Sequence, residues 1–139
     1  MKESMTSSAS PLSTETPSGS EGINPKDRIG MTKPPIALVP PVALIHCAMA
    51  MKNGAVKYGP YNWRKEKVQS MIYLDAAYRH ILDFIDGEEC ASDSGVHHLA
   101  HAMACCAILL DAFEGGHVKD NRPPPGQAAA LIARLTEKK

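Results

Sequence analysis

Three of the six histidines of the chain lie within residues 97–101, in the segment SGVHHLAHA that begins at Ser94. His98 and His101 are three residues apart, so on a helix they are neighbours on one face, whereas His97 is turned away from them. Neutral imidazole is both a common metal ligand and a proton acceptor near neutral pH. The spacing therefore indicates either a pair of metal ligands or two histidines at the edge of a helical core.

Another histidine and several acids precede this segment. His80 and Asp83 are three residues apart in a helical pattern, and the connection DGEECASDSG adds further carboxylates. Two helices with so short a connection are expected to pack antiparallel, which brings the end of one beside the start of the next. The combination favours a metal site between them, although Asp93 alone suits a helix cap and Glu88 alone suits a solvent-facing loop. The candidate ligands are His80, Glu88, Asp93, His98 and His101.

The segment KYGPYNWRK has a composition suited to a nucleotide. Three of the seven aromatic residues of the chain, Tyr58, Tyr61 and Trp63, alternate there with cationic and amide side chains. Such a loop can stack on a base and pair with phosphate oxygens. Two alternatives remain: Trp63 alone is better explained as a core residue that closes a helical bundle, and the loop is also compatible with single-stranded nucleic acid.

The elements that must position these residues are helices. We predict a first helix that starts at Pro41 and is interrupted or loosened at Asn53-Gly54, a second over residues 67–86, a third over 94–114 and a short one in QAAALIARLTEK. The fold class is all-α, a small bundle of three long helices. The positions predicted to face the core are Val42, Ile45, Met49 and Val56, then Leu74, Tyr78, Ile81 and Ile85, then Leu99, Met103, Cys106, Leu110 and Phe113.

Composition and segment boundaries limit the remaining possibilities. The chain has 139 residues with fifteen basic and fifteen acidic side chains, so no overall field attracts nucleic acid or an anionic membrane. Neither a secretory signal nor a membrane span is apparent, and four cysteines without CxxC spacing predict reduced thiols in the cytoplasm. We predict a disordered tail over residues 1–23 and an all-α domain over 24–116. Residues 117–139 are predicted to form an extended Pro-rich link and a terminal helix.

Three segments together resemble a known family. KYGPYNWRK, AAYRHILDFIDGEE and DSGVHHLAHA, in this order and spacing, are similar to the phage-associated dATP/dGTP diphosphohydrolase N-terminal family, a branch of the all-α, MazG-like nucleotide pyrophosphatases. The resemblance implies hydrolysis of a (deoxy)nucleoside triphosphate to monophosphate and pyrophosphate. The wider group holds its divalent cation on paired acidic motifs, whereas this chain has His80/Asp83 and His98/His101. Imidazole ligands make Mn²⁺, Co²⁺ or Zn²⁺ candidates besides Mg²⁺.

With this resemblance, the expected site comprises the five ligands above and residues that handle the nucleotide. Asp83 or Glu89 is expected to orient the attacking water, and Arg79 to offset charge on the phosphates. The expected substrate-binding residues are Lys57, Asn62, Trp63 and Arg64. A unit this small leaves a nucleotide exposed, so a homodimer or tetramer is expected, in the cytoplasm of the host if the chain is viral.

Three other functions stay open from the sequence. The same nucleotides could lose inorganic triphosphate instead of pyrophosphate. The histidine and acid cluster could hold a metal that only stabilises a non-catalytic interaction module. A small single-strand-binding accessory protein is the third alternative, although the balanced charge argues against stable nucleic-acid binding.

Overall fold

The computed structural model describes residues 22–138, so the predicted disordered tail lies almost entirely outside the described residues. Of the described residues, those up to Ile36 belong to one compact unit and those from Ala37 onwards to another. The first contains helix α1, Pro25–Gly30, which lies before the first helix predicted from the sequence. The helix forms because the Asn24 side chain accepts a hydrogen bond from the Lys26 N–H and Pro25 occupies the first helical position.

The second unit is built from helices, which confirms the all-α prediction. Its elements are a 3₁₀ turn that starts in the first unit, Ile36–Leu38, then α2 Pro41–Tyr58, a 3₁₀ turn Asn62–Arg64, β1 Val68–Gln69, α3 Ser70–Ile85, α4 His98–Glu114, β2 Val118–Lys119 and α5 Ala128–Leu135. Helix α4 packs against both α3 and α2. The antiparallel arrangement of α3 and α4 is confirmed by contacts at both ends, since His80 meets His98 and Ser70 meets Asn121.

Helix α2 begins at Pro41 as predicted, but it is not interrupted at Asn53-Gly54. A glycine inside a helix costs about 1 kcal/mol relative to alanine, and packing offsets that cost here. The helix contributes Ala50 to a cluster with Ala100 and Ala104 of α4. It ends at Gly59, whose φ of 86° is in the region that glycine adopts most readily.

Helix α3 starts at Ser70, later than predicted, because a distant segment supplies its cap. The Asn121 side-chain oxygen accepts from the Met71 N–H at 2.9 Å, and the fully buried Ser70 hydroxyl lies 3.0 Å from the same oxygen. The two short strands β1 and β2 pair in parallel just beside this contact, with Val68 opposite Val118. The sequence suggested no strand, since two-residue strands have no alternating pattern to detect.

Helix α4 starts at His98 and not at Ser94. Its cap is His97, whose Nδ1 accepts a hydrogen bond from the Leu99 N–H at 3.0 Å. The suggestion that Asp93 caps this helix is therefore wrong. The residues before the helix form turns, with Gly95 at a φ of 70°, and His97 bridges back to Cys90.

The predicted core positions are mostly wrong, because the helices meet through small side chains. The buried apolar residues include Trp63, Val68 and Leu109, and all the others are alanines: Ala50, Ala77, Ala91, Ala100, Ala102, Ala104 and Ala112. Small residues let helix axes approach closely, so the larger apolar residues on each helix are left on its other side. Only Leu74 and Met103 of the predicted set are partly buried, and the exposed ones are Val42, Ile45, Met49, Val56, Tyr78, Ile81, Ile85, Leu99, Cys106, Leu110 and Phe113.

The C-terminal part follows the predicted order of an extended link and a short helix. The proline-rich residues 122–126 contain no helix, and α5 covers only the central part of the predicted segment. All of its residues are exposed. Within residues 22–138, no helix is long and apolar enough to cross a membrane.

Candidate functional site

A cleft of about 660 Å³ lies between α2, the α3–α4 pair and the segment that follows α2. We call this segment, residues 59–65, the aromatic loop. Its wall combines apolar residues, among them Met51, Ala104 and Ile108, with a few polar groups that converge on the same space. This combination is typical of a small-molecule site. The polar and aromatic lining residues are Lys52, Asn53, Lys57, Tyr58, Tyr61, Asn62, Trp63, Tyr73, His80, Asp93, His101 and Cys105.

Three histidines from the two facing helices meet at one end of the α3–α4 contact. His80 of α3 stacks on His101 of α4 with ring centroids 4.6 Å apart and planes 16° from parallel. The Nδ1 atoms of His80 and His98 are 2.8 Å apart. His98 Nε2 lies 3.1 Å from Glu88 Oε1, and His101 Nε2 lies 2.8 Å from the Ser94 hydroxyl. The antiparallel packing thus brings together the histidines that the sequence placed at two helix ends.

The pKa values of both cleft-lining histidines are lowered, which favours their neutral form. Burial lowers the pKa of His80, and the nearby His101 and His98 lower it further, while Asp83 and Asp93 act in the opposite direction. Burial is also the main cause of the lowered pKa of His101, which Asp93 partly opposes. A neutral imidazole has a free lone pair that can accept a proton or bind a cation.

One ion pair lies at the rim of the cleft. Lys57 Nζ is 3.8 Å from Asp93 Oδ2, and both side chains are largely exposed. An exposed pair of this kind contributes little stability. The ammonium and the carboxylate are therefore available to a phosphate and to a cation, respectively.

Aromatic rings and amides form another part of the wall. Tyr58 and Tyr61 are largely exposed, and Tyr61 adopts a left-handed backbone conformation with φ 54°. Burial raises the pKa of the Tyr73 hydroxyl, and a hydrogen bond from the Asn62 side chain opposes this effect. Exposed rings beside a polar amide can stack on a base and contact its edge or the sugar.

Trp63 and Arg64 fasten the aromatic loop to α4. Trp63 is buried and its indole N–H donates to Asp111 Oδ2 at 2.7 Å. Arg64 donates to both oxygens of the same carboxylate at 2.9 and 2.7 Å, and its guanidinium lies 4.5 Å from the centre of the Tyr61 ring. These hydrogen bonds hold the pKa of Asp111 well below its usual range. The explanation of Trp63 as a residue that closes the bundle therefore agrees with its contacts.

The cleft contains part of the set of residues expected from the sequence. Lys57, Asn62 and Trp63 line it, whereas the guanidinium of Arg64 is directed to Asp111. Of the expected ligands, His80, Asp93 and His101 line it, and Glu88 and His98 lie behind His80. None of the three residues expected to act in catalysis, Arg79, Asp83 and Glu89, is among the lining residues.

The donor set of the cleft fits a divalent cation in its chemistry. Two neutral imidazoles and a carboxylate are suitable ligands for Mn²⁺, Co²⁺ or Zn²⁺. Among residues 22–138, however, no three His, Cys, Asp or Glu side chains converge closely enough to enclose a metal ion. Magnesium sites in nucleotide enzymes commonly combine one or two carboxylates with substrate phosphates. His80, Asp93 and His101 therefore suit a cation that arrives with a phosphate group better than a preformed protein cage.

Six of the twelve polar and aromatic lining residues were not predicted as site residues: Lys52, Asn53, Tyr58, Tyr61, Tyr73 and Cys105. Tyr73, Ala76 and His80 lie at i, i+3 and i+7 on one face of α3, and His101 and Cys105 are four residues apart on α4. Helical spacing from the two histidines would have found Tyr73 and Cys105. Burial raises the pKa of the Cys105 thiol to about 11, so it forms part of the apolar wall. Asn53, four residues before Lys57, and Tyr61, next to Asn62, were within reach of the same reasoning.

Comparisons with known proteins place these observations in a family. The sequence model described as dATP/dGTP diphosphohydrolase, N-terminal, matches residues 23–122. A protein named dATP/dGTP diphosphohydrolase from Salmonella phage PMBT28 is 34% identical over 90 residues, which cover 65% of this chain and 30% of that protein. Cartilage-associated protein of Homo sapiens is 29% identical over 96 residues, which cover 69% of this chain and 23% of that protein.

The chain thus spans less than a third of the length of these two curated relatives. No solved structure matches it. The family match includes the aromatic loop, helices α3 and α4 and the segment that caps α3. The chain belongs to the dATP/dGTP diphosphohydrolase N-terminal family.

Proposed function

We propose that this chain hydrolyses deoxynucleoside triphosphates, purine nucleotides foremost, between the α and β phosphates, in a reaction that depends on a divalent cation. The observation that carries the proposal is the composition of one cleft. Exposed aromatic rings and amides line one part of it, and two neutral histidines, a lysine and a carboxylate line another. A nucleoside and a polyphosphate need these two kinds of surface.

The base and the phosphates have different partners in this proposal. Tyr58 and Tyr61 offer rings for stacking, and Asn62 offers an amide to the base or sugar. Lys57 offsets phosphate charge once its weak ion pair with Asp93 is released. Arg64 has a different role from the one expected, since its two hydrogen bonds to Asp111 fix the loop that carries Tyr61 and Asn62.

His80, Asp93 and His101 are the residues proposed to hold the cation, together with phosphate oxygens of the substrate. When bound, the cation supplies positive charge to the phosphates and lowers the pKa of the attacking water. The protein contributes orientation: the stacked rings of His80 and His101 restrict each other, and Ser94 holds His101 at its Nε2. Asp83 lies close enough to influence His80 electrostatically and remains a candidate for accepting the water proton.

One of the two relatives supports the choice of substrate. The phage protein that is 34% identical to this chain is named a dATP/dGTP diphosphohydrolase. Its name motivates the purine preference and the release of pyrophosphate, and the cleft chemistry described above is compatible with both. Release of inorganic triphosphate is the alternative, because the same residues could bind the same nucleotide with a different phosphorus exposed to water.

Product identification tests this proposal and separates the alternative. The full chain is incubated with dATP, dGTP, dCTP or dTTP and with Mg²⁺, Mn²⁺ or Co²⁺ in turn. We expect monophosphate and pyrophosphate from the purine nucleotides, and no turnover in the presence of a chelator. Nucleoside and inorganic triphosphate would support the alternative, and no turnover with any pair would contradict hydrolysis by this chain alone.

We also propose that the chain forms a homodimer through the outer face of the α3–α4 pair, defined as Tyr78, Ile81 and Ile85 of α3 with Leu99, Leu110 and Phe113 of α4. At 100° per residue these positions lie roughly 140° from those that line the cleft. None is charged, and all six are exposed. Their exposed area is roughly 600 Å² per copy, close to the ~800 Å² that each partner buries in a standard interface.

A second copy is the occupant best suited to this face. The α3 positions are three and four residues apart. Leu99, Leu110 and Phe113 fall on the same repeat, with Met103 and Cys106 at the steps between them. This is the pattern by which helices pack on other helices. A two-fold axis would place two such helix pairs face to face as a four-helix bundle, with identical surfaces buried on both sides. The cleft would stay open on the other side of each copy.

A further inference from the structure

Glu88, His98 and His80 form a chain of hydrogen-bonding groups that ends at the cleft. Glu88 Oε1 is 3.1 Å from His98 Nε2, and His98 Nδ1 is 2.8 Å from His80 Nδ1. Of the three residues, only His80 lines the cleft. His98 is 2% exposed, so its two ring nitrogens have these partners in place of water.

The acid at one end gives this chain a direction. A carboxylate only accepts hydrogen bonds, so His98 Nε2 must carry the hydrogen. The other nitrogen of a neutral imidazole is then an acceptor, and His80 Nδ1 must donate to it. His80 therefore keeps its lone pair on Nε2, and the two nitrogens of an imidazole point away from each other. Because Nδ1 is directed to the buried His98, Nε2 is directed to the cleft.

We propose that Glu88 and His98 are positioning residues that fix His80 as the Nδ1–H tautomer and so present its Nε2 lone pair to the cleft. The use of that lone pair as a cation ligand rests on the proposed function, whereas the tautomer itself does not. The assignment replaces the expectation that Glu88 and His98 are ligands themselves. Hydrogen-bond partners of this kind commonly orient the histidines that bind metals.

A purely structural role explains the chain of contacts less well. The side chain of Glu88 is 52% exposed, and a contact with so exposed an acid adds little stability. The neighbouring Glu89 is exposed too, and it contacts this region through its backbone carbonyl oxygen, which accepts a hydrogen bond from the His98 N–H. Glu88 and Glu89 therefore form a matched pair, in which only the Glu88 side chain contacts the His98 imidazole.

The tautomer is measured directly by long-range ¹H–¹⁵N correlation spectra of the histidine-labelled full chain, without metal or nucleotide, at about pH 8, where free imidazole is neutral. We expect His80 in the parent to be the Nδ1–H form. Glu88→Ala should produce a mixture of His80 tautomers, and Glu89→Ala should leave the parent spectrum unchanged. His80 as the Nε2–H form in the parent, or an unchanged tautomer in Glu88→Ala, would overturn the proposal.

His98→Asn tests the middle of the chain. The asparagine oxygen can accept from His80 Nδ1 without help from Glu88, so this variant should keep the Nδ1–H form of His80. Adding Glu88→Ala to His98→Asn should then leave the His80 tautomer unchanged, although Glu88→Ala alone alters it. A shift of the His80 tautomer in this double variant, relative to His98→Asn, would contradict the proposed order of the chain.

Activity gives a separate readout. Glu88→Ala should lower kcat for nucleotide hydrolysis by about 10–100-fold with little change in KM, since orientation of a ligand is lost while the nucleotide contacts remain. The expected tautomers in a chain that hydrolyses no nucleotide would contradict the proposed function and leave the positioning role supported. Normal hydrolysis with the opposite tautomer would overturn the positioning role alone.

Discussion

The two sides of the α3–α4 pair carry different residues at the same helical spacing. On the cleft side, Tyr73 and His80 of α3 face His101 and Cys105 of α4. On the outer face, the corresponding steps of the two helices carry only apolar side chains, and these are exposed. The two sides thus suit different roles: we propose a small-molecule site on one and an association surface on the other, while alanines in between let the helices pack closely.

The largest expected effect comes from the cleft side. His80→Ala and His101→Ala should each lower kcat/KM for deoxynucleotide hydrolysis by at least ~100-fold, because each removes a proposed cation ligand. Initial-rate assays with dGTP across a range of Mn²⁺ concentrations measure the loss. His97→Ala is the matched control, since His97 caps α4 and lies outside the cleft. Equal turnover by all three variants would remove the histidines from the site.

A charged residue introduced on the outer face should weaken formation of the proposed dimer. Leu110→Glu should raise the dissociation constant of the dimer by at least ~100-fold, because a carboxylate would be buried without a partner. Sedimentation velocity over a dilution series measures this constant. Val56→Glu is the control, since Val56 is 81% exposed on α2 and lies outside this face. A parent chain that stays monomeric at high concentration, or equal effects of both variants, would contradict the proposed interface.

The cleft histidines and Asp111, which holds the aromatic loop, should affect the free energy of unfolding in different pH ranges. The lowered pKa values of His80 and His101 mean that the unfolded chain binds protons first as the pH falls. The free energy of unfolding should therefore decline as the pH falls below about 6.5, the ordinary histidine value. The lowered pKa of Asp111 stabilises the fold above about pH 4, and this contribution is lost below it. Urea unfolding at a series of pH values checks both windows. Loss of part of the upper decline in His101→Gln, and of part of the lower one in Asp111→Asn, would assign them.

The contact between the aromatic loop and α4 should matter more for stability than for chemistry. Arg64→Ala removes two hydrogen bonds to Asp111 and should lower the melting temperature, with a smaller effect on kcat than His80→Ala. Thermal unfolding and initial rates of the same preparation give the comparison. Lys65→Ala, at an exposed neighbour, is the control. A large loss of kcat at an unchanged melting temperature would return Arg64 to the substrate-binding residues.

The smallest effect is expected at the helix cap. His97→Ala should lower the free energy of unfolding by about 1 kcal/mol, because the Leu99 N–H loses its acceptor. Urea denaturation measures it. An unchanged midpoint would show that water replaces the imidazole at this helix end.

The sequence predicted which segments are helices better than it predicted which face of each helix is buried. Spacing of three and four residues identified stripes such as Tyr78, Ile81 and Ile85, and these stripes exist. Whether a stripe faces the core or the surface could not be predicted, because an apolar stripe packs equally well against the same chain or another copy. The start of α3 depends on Asn121, some fifty residues later, and no local pattern reveals such a contact.

The residues of the site were likewise predicted only in part, because helical spacing shows which residues are neighbours but not which of them are buried. Antiparallel packing followed from the short connection, so the meeting of His80 with His98 and His101 could be expected. Which of these imidazoles faces the cleft depends on burial, which spacing alone does not give. The pairing of Arg64 with Asp111 joins two segments far apart in the sequence, so a loop arginine looked free for phosphate.

The central claim is that the cleft hydrolyses a purine deoxynucleoside triphosphate between its α and β phosphates. Its most direct test is hydrolysis of dGTP by the full chain in ¹⁸O-labelled water with Mn²⁺, followed by mass spectrometry of both products. The account predicts label in the dGMP and none in the pyrophosphate, and no product from His80→Ala. Deoxyguanosine with inorganic triphosphate, or dGTP that stays intact with every divalent cation tried, would contradict it.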